Sequence, residues 1–380
     1  QAVTALGEAV GEAEIEAAQA AIEGPDLAYI LYTSGSTSTP KGVELQHYAL
    51  IENMWHIGER LHLGPQDRFW CGVSLFWGFA SENALFAVMT HGGTVVLQPH
   101  FDAGEALRLI EVERLSVLYA TPNMIRAIAD HPDRPKRDLS SLRTGATIGT
   151  PEQIDLVVEL GAEEICNVYG LTETYGNCAV MDAAEPIERR RQSVGKPLPG
   201  VDLRIVDTET RAPLGPGEVG EIVVKGYITT GYYKDADKNA AAFDADGYFM
   251  TGDLGLLDQE GWLYFHGRLK EMVKTGGINV APIEVEEILM AHVDVELAFV
   301  VGLPDPVHEE ILGAAIVPAA GKSADEATLR AHCRELLAGY KVPRRFLFLR
   351  PAELPLTTTG KVQKNRIPDL FKAEDETSAA

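Results

Sequence analysis

Hydroxyl, glycine and lysine residues crowd into Tyr32-Thr33-Ser34-Gly35-Ser36-Thr37-Ser38-Thr39-Pro40-Lys41-Gly42. Hydroxyls and bare backbone N–H groups in a loop can wrap an anion, and a lysine adds a positive point charge. The chemistry on offer is phosphate binding. Taken alone, the run is equally an ordinary Ser/Thr/Gly turn. The pattern G-x-x-x-x-G-K-[ST] fails here, because Pro40 stands where its second glycine belongs and Gly42 where its hydroxyl belongs.

Five further stretches carry groups of the same kind. They are Asn167-Val168-Tyr169-Gly170-Leu171-Thr172-Glu173, Tyr248-Phe249-Met250-Thr251-Gly252-Asp253, Gly267-Arg268-Leu269-Lys270-Glu271, Lys274-Thr275-Gly276-Gly277 and Pro355-Leu356-Thr357-Thr358-Thr359-Gly360-Lys361. With the first loop, in this order and spacing, they resemble the adenylate-forming superfamily: acyl- and aryl-CoA synthetases, amino-acid-activating domains of peptide synthetases, and beetle luciferases. The resemblance runs from about Leu27 to Leu370, nearly the whole chain.

That resemblance implies two steps. A carboxylate attacks the α-phosphate of ATP to give an acyl-adenylate and pyrophosphate, and a thiol, usually that of CoA, then displaces AMP. Two anions must meet, so charge has to be neutralised and geometry fixed. By resemblance, Thr33, Ser34, Gly35, Ser36, Thr37 and Lys41 clamp the β- and γ-phosphates. Glu173 binds Mg²⁺, a hard cation that prefers carboxylate and phosphate oxygen, and Thr172 offers its hydroxyl to phosphate. Tyr169 stacks on adenine against Gly145-Ala146-Thr147, with Asn167 in the same nucleotide-binding set. Asp253 and Arg268 take the ribose hydroxyls. Lys361 is carried to the reacting carboxylate by a mobile domain, Lys270 is the hinge, and Gly276-Gly277 line the pantetheine tunnel. ATP, Mg²⁺ and CoA are the implied cofactors.

Each residue also has a plainer role open to it. Glu173 suits a helix cap, Asp253 a turn, Arg268 a surface ion pair, Tyr169 the core, and Lys361 a solvated tail. The chain also departs from the family pattern. Ser38 replaces a glycine, and Phe76-Trp77 stands for the usual Phe-His in the acyl-binding region. Amino-acid activators place an Asp near Phe76, whereas Phe76-Trp77-Gly78-Phe79-Ala80-Ser81 has none. An apolar or aromatic acid is therefore expected. An amino-acid-activating enzyme loading a separate carrier protein, and a non-catalytic nucleotide-binding remnant, remain alternatives. Pro355 before Lys361 resembles a context in which a lysine acetyltransferase silences such ligases by removing charge.

Elements must bring these groups into place. An apolar segment, Leu27–Leu31, leads into the loop and reads as a buried strand. Ala- and Glu-rich residues 8–23 read as a helix ending at Gly24-Pro25. Between residues 47 and 169, helical and apolar strand patterns alternate, which predicts α/β layers with a largely parallel sheet. After Pro197 a small β-rich section follows. Gly215-Pro216-Gly217-Glu218-Val219-Gly220 spells G-x-G-x-x-G but precedes a strand, so it reads as a hairpin turn. From about Lys270 a compact α+β unit is expected. It has a helix from Pro282 carrying Val285, Ile288 and Leu289, another capped by Ser323 with Glu326, and a polar tail. The predicted division is a large domain at 1–269, incomplete at its start, and a small mobile domain at 270–380. Gln1 in place of Met fits an N-terminally truncated chain.

Composition bounds the partners. With 380 residues, more than one core is expected. The 33 basic and 56 acidic residues give a formal charge of −23, which argues against nucleic acid or anionic membrane as a general partner. No apolar run has transmembrane length. Cys71, Cys166, Cys178 and Cys333 lack metal-ligand spacing and fit idle thiols in a reducing, cytoplasmic compartment.

Overall fold

The computed structural model describes residues 7, 10–33, 40–356 and 362–379, with side chains to 374. The chain divides into two compact units, Gln1–Leu203 with Val223–Thr251, and Arg204–Ile222 with Gly252–Ala380.

The first unit is built on a seven-stranded sheet. Its spatial order is Thr94–Leu97, Arg68–Cys71, Val117–Tyr119, Thr144–Thr147, Glu164–Tyr169, Ala179–Val180, Lys196–Pro197. The first five strands are parallel and the last two antiparallel. Such parallel pairing needs crossovers, supplied by the helices Ala103–Val112, Pro122–Ala129 and Pro151–Glu159. Their starts are legible. Asp102 accepts the Glu105 N–H at 2.8 Å, while Pro122 and Pro151 take first-turn positions where no N–H is missed. Leu107, Ile110, Ile125, Ile154 and Val157 from these helices meet Leu118 and Ile165 of the sheet in one core. The expected parallel α/β layering is what forms.

Leu27–Thr33 pairs antiparallel with Lys41–Gln46, with Thr33 opposite Lys41. The expected strand forms but is not fully buried: Leu27 is 48% exposed and residues 28–31 are only partly covered, whereas Val43 and Leu45 of the partner strand are buried. A two-stranded ribbon covers only one face, so its first strand stays half in water.

In the second unit, residues 253–257 pair antiparallel with Leu263–Arg268, placing Asp253 opposite Arg268. A five-stranded sheet follows, with Val273–Thr275 between Ile278–Val280 and Glu309–Pro318, and Glu309–Pro318 also flanked by Val295–Asp305 and Arg345–Phe348. Helices Pro282–Met290 and Glu326–Leu336 bury Val285, Leu289, Leu329 and Cys333 against one face. Val285 and Leu289 of the expected face are fully buried and Ile288 partly so. On the other face, Ile367 and Phe371 of the helix Ile367–Ala379 pack on Val301, Leu303, Ala315 and Leu347. Two sequence expectations are corrected in this unit. Asp325, not Ser323, caps the second helix, its carboxylate accepting the Thr328 N–H at 3.0 Å. The polar tail is a helix, anchored by two apolar residues four apart.

All four cysteines are buried and none forms a disulfide. Among the described residues, no helix is long and apolar enough to cross a membrane.

Candidate active site

In open parallel sheets, ligands bind beyond the carboxyl ends of the strands. There, in the first unit, Thr147 lies beside Asn167 on adjacent strands. Asn167 accepts the Val168 N–H at 3.0 Å and donates to the Gly149 carbonyl at 3.3 Å, and Thr147 donates to the Ala120 carbonyl at 3.1 Å. Gly145, Ala146 and Thr147 are buried within the sheet. A Cβ at Gly145 would fall 1.9 Å from the Leu118 carbonyl oxygen, so glycine there lets two strands approach. Tyr169 ends its strand and is buried.

The chain then turns through Thr172–Thr174, and Tyr175 takes a left-handed conformation at φ 54°. Tyr175 ties the turn to its surroundings. Its hydroxyl accepts the Gln46 N–H at 2.8 Å, and its carbonyl accepts from Asn53 at 3.3 Å. The turn leaves Glu173 at 9% exposure. The Tyr232 hydroxyl donates to Glu173 Oε1 at 2.8 Å, and the Thr229 N–H donates to the Glu173 carbonyl at 2.7 Å. Lys41 Nζ lies 4.7 Å from the centre of the Tyr232 ring. Lys41, Tyr232, Lys238 and Met250 line one open pocket. Two groups from distant parts of the sequence, the loop lysine and the turn carboxylate, thus meet through one tyrosine.

Glu82 adds a second carboxyl. It sits in the π-helical segment Phe79–Leu85, wholly buried, and among the described residues neither of its oxygens has a hydrogen-bond partner. A Cβ on Gly78 would stand 2.2 Å from Glu82 Oε2 and 3.4 Å from Thr172 Oγ1, so the acid and the turn hydroxyl share one small space. Burial, with the Glu173 charge adding to it, holds Glu82 well above the usual carboxylate range and favours its neutral form. Phe76 is 64% exposed, whereas Trp77 lies 6.4 Å from Phe79, ring centre to ring centre.

In the second unit, Arg268 Nε stands 3.0 Å from Oδ1 of the buried Asp253, so these two predicted residues meet. Glu221 supports them, accepting the Gly252 N–H at 3.0 Å and pairing with Arg211. Lys270 is exposed in the turn Leu269–Glu271. Gly276 and Gly277 form a two-residue hairpin loop with φ of 58° and 79°, the left-handed pair a type I′ turn demands. Ser34, Gly35, Ser36, Thr37 and Lys361 lie outside the described residues.

Sequence reasoning passed over Tyr232 and Glu82. Glu82 did carry a signal, as a charge inside the apolar run Phe79–Met89. Tyr232 carried none, since its partner Glu173 lies 59 residues away.

A family model described as AMP-binding enzyme matches residues 3–233, and one described as AMP-binding enzyme C-terminal domain matches 284–361. The chain belongs to the AMP-binding enzyme family. This AMP-binding enzyme is 35% identical over 367 residues to the putative acyl-CoA synthetase YngI of Bacillus subtilis, covering 95% of this chain and 66% of the relative. Against the feruloyl-CoA synthase of an Amycolatopsis species it is 36% identical, covering 91% and 70% respectively. Among solved structures it resembles ATP-bound MatB from Rhodopseudomonas palustris with a TM-score of 0.84 at 30% identity, covering 92% of this chain and 69% of that one. It spans about two thirds of the length of these relatives.

Proposed function

We propose that this AMP-binding enzyme is an ATP-dependent acid–CoA ligase acting on an apolar or aromatic carboxylic acid. The observation that carries the reading is the meeting of Lys41 and the Glu173 carboxylate at Tyr232 in a chain of this family. Glu173 Oε1 is engaged by Tyr232, and among the described residues Oε2 makes no hydrogen bond. A buried carboxylate with one oxygen fixed and one to give suits a hard divalent cation that takes its other ligands from phosphates. Bound there, Mg²⁺ supplies positive charge to phosphate oxygens.

The chain's own residues then have definable work. Thr33 and Lys41, with residues 34–37, hold the leaving pyrophosphate, and Thr172 donates to phosphate. Tyr169, Asn167 and residues 145–147 serve the adenine, and Asp253 and Arg268 the ribose. Lys361 offsets charge as the acid oxygen bonds to the α-phosphorus and the bond to pyrophosphate breaks. Rotation at Lys270 between residues 1–269 and 270–380 exchanges that lysine for the Gly276-Gly277 hairpin. The CoA sulfur then attacks the acyl carbonyl and AMP leaves. The aromatic rings of Phe76, Trp77 and Phe79 and the feruloyl-CoA synthase relative both support an apolar or aromatic acid. Four buried thiols fit a reducing cytoplasm. Acetylation of Lys361 by a lysine acetyltransferase would switch adenylation off by removing charge, which mass spectrometry of the residue tests.

The test is a panel of carboxylic acids with Mg²⁺-ATP and CoA, scored by mass spectrometry for the thioester. A thioester of an aromatic or apolar acid is expected, and none of an amino acid. Adenylation of amino acids without CoA transfer would favour the carrier-loading alternative. ATP binding without acid-dependent pyrophosphate release would leave only a nucleotide-binding protein.

A further inference from the structure

We propose that Tyr232 is a positioning residue for adenylation, its hydroxyl fixing the Glu173 carboxylate while its ring seats the Lys41 ammonium. The inference rests on the ligase reading above and goes beyond it by assigning a residue outside the six motifs.

The geometry is specific at both ends of the side chain. The hydroxyl reaches Glu173 Oε1 at 2.8 Å, and Lys41 Nζ lies 4.7 Å from the ring centre. A cation over an aromatic face is held by the ring quadrupole and keeps its N–H groups for an anion. A donor on one carboxylate oxygen fixes the side chain and turns the other oxygen outward, as outer partners of metal ligands do.

The backbone around Tyr232 is tied to the same two elements. Tyr232 forms a bridge to Val43, the Tyr233 N–H donates to the Gly42 carbonyl at 2.8 Å, and the Glu44 N–H donates to the Gly231 carbonyl at 3.0 Å. On the other side, the Thr229 N–H holds the Glu173 carbonyl at 2.7 Å. The Asn239 amide brackets Tyr232 itself, accepting its N–H at 2.6 Å and donating to its carbonyl at 3.0 Å. A tyrosine clamped this way works as a fixed spacer. It sets the separation between the carboxylate that takes the cation and the lysine that takes the pyrophosphate, and both must act on one polyphosphate at once.

Two variants separate the two ends. Tyr232→Phe keeps the ring and loses the hydroxyl, and Tyr232→Leu loses both. Equilibrium binding of ATP is measured on the whole chain in EDTA and in Mg²⁺, beside the unliganded melting temperature and the split of kcat from the KM for Mg²⁺-ATP. For Tyr232→Phe, metal-free ATP binding stays as in wild type, while the gain in affinity on adding Mg²⁺ falls by about 10–100-fold. For Tyr232→Leu, metal-free binding weakens as well. Wild-type Mg²⁺ dependence in Tyr232→Phe would overturn the inference while leaving the ligase reading intact. So would a parallel loss of melting temperature and of both binding modes, which would make the residue packing alone. If wild type itself gains no ATP affinity from Mg²⁺, the reading of Glu173 fails first and the inference falls with it.

Discussion

Arg268 Nε stands 3.0 Å from Oδ1 of Asp253, its register partner on the neighbouring antiparallel strand. The aspartate is buried and the arginine half-exposed, so the arginine screens a carboxylate that water scarcely reaches. Arg268→Ala leaves that carboxylate without its ion-pair partner. The expected loss is about 1–3 kcal/mol, at the lower end because solvent reaches the guanidinium. A urea denaturation midpoint reads it, Arg268→Lys recovers part of it, and ATP affinity falls in parallel.

The Gly276–Gly277 hairpin makes a separate prediction. A Cβ at Gly277 meets nothing within 4 Å, so Gly277→Ala bears only the strain of a positive φ. That strain costs about 1–2 kcal/mol, read as a lower Tm. If the hairpin also borders the thiol's path, thioester formation slows in the variant while pyrophosphate release keeps its rate.

Glu286 gives a pH signature. It is buried in the second unit, accepts the Val300 N–H at 2.6 Å and pairs with Lys364 Nζ at 2.6 Å. Burial raises its pKa from the ordinary 4.5, and Lys364 offsets only part of the rise. In the folded state it therefore holds its proton to higher pH than in the unfolded chain. The unfolded state then binds fewer protons as pH climbs from about 4.5, and stability falls through that window. Glu286→Gln removes this dependence. The stability difference between variant and wild type moves in the variant's favour as pH rises from 4 to 7, as paired urea titrations would measure.

Lys361 separates the half-reactions. Lys361→Ala is expected to abolish pyrophosphate release and to spare thioester formation from supplied acyl-adenylate. Equal loss of both would remove the lysine from the adenylation step.

How much of this was legible follows from how local each signal is. The parallel sheet announced itself through apolar strands alternating with amphipathic helices, whereas two short motifs singled out Asp253 and Arg268 without showing that they pair. Tyr232 was silent because its meaning depends on Glu173 and Lys41, which only the folded chain brings to it. Gly276 and Gly277 were read as ligand glycines, although a type I′ turn requires them whatever binds nearby. The tail was read as polar because Ile367 and Phe371 are its main apolar anchors among Asp, Glu and Lys, too sparse a stripe to stand out. Ser323 lost the cap to Asp325, two residues on, and end positions are where local pattern discriminates least.

Adenylation by this chain is tested by acid-dependent exchange of labelled pyrophosphate into ATP, run without CoA on wild type and on Glu173→Gln. Exchange is expected only when a suitable apolar or aromatic acid is present, with a fall of about 100-fold or more in Glu173→Gln. Exchange that persists in the variant, or release of ADP and phosphate in place of AMP and pyrophosphate, would contradict this expectation.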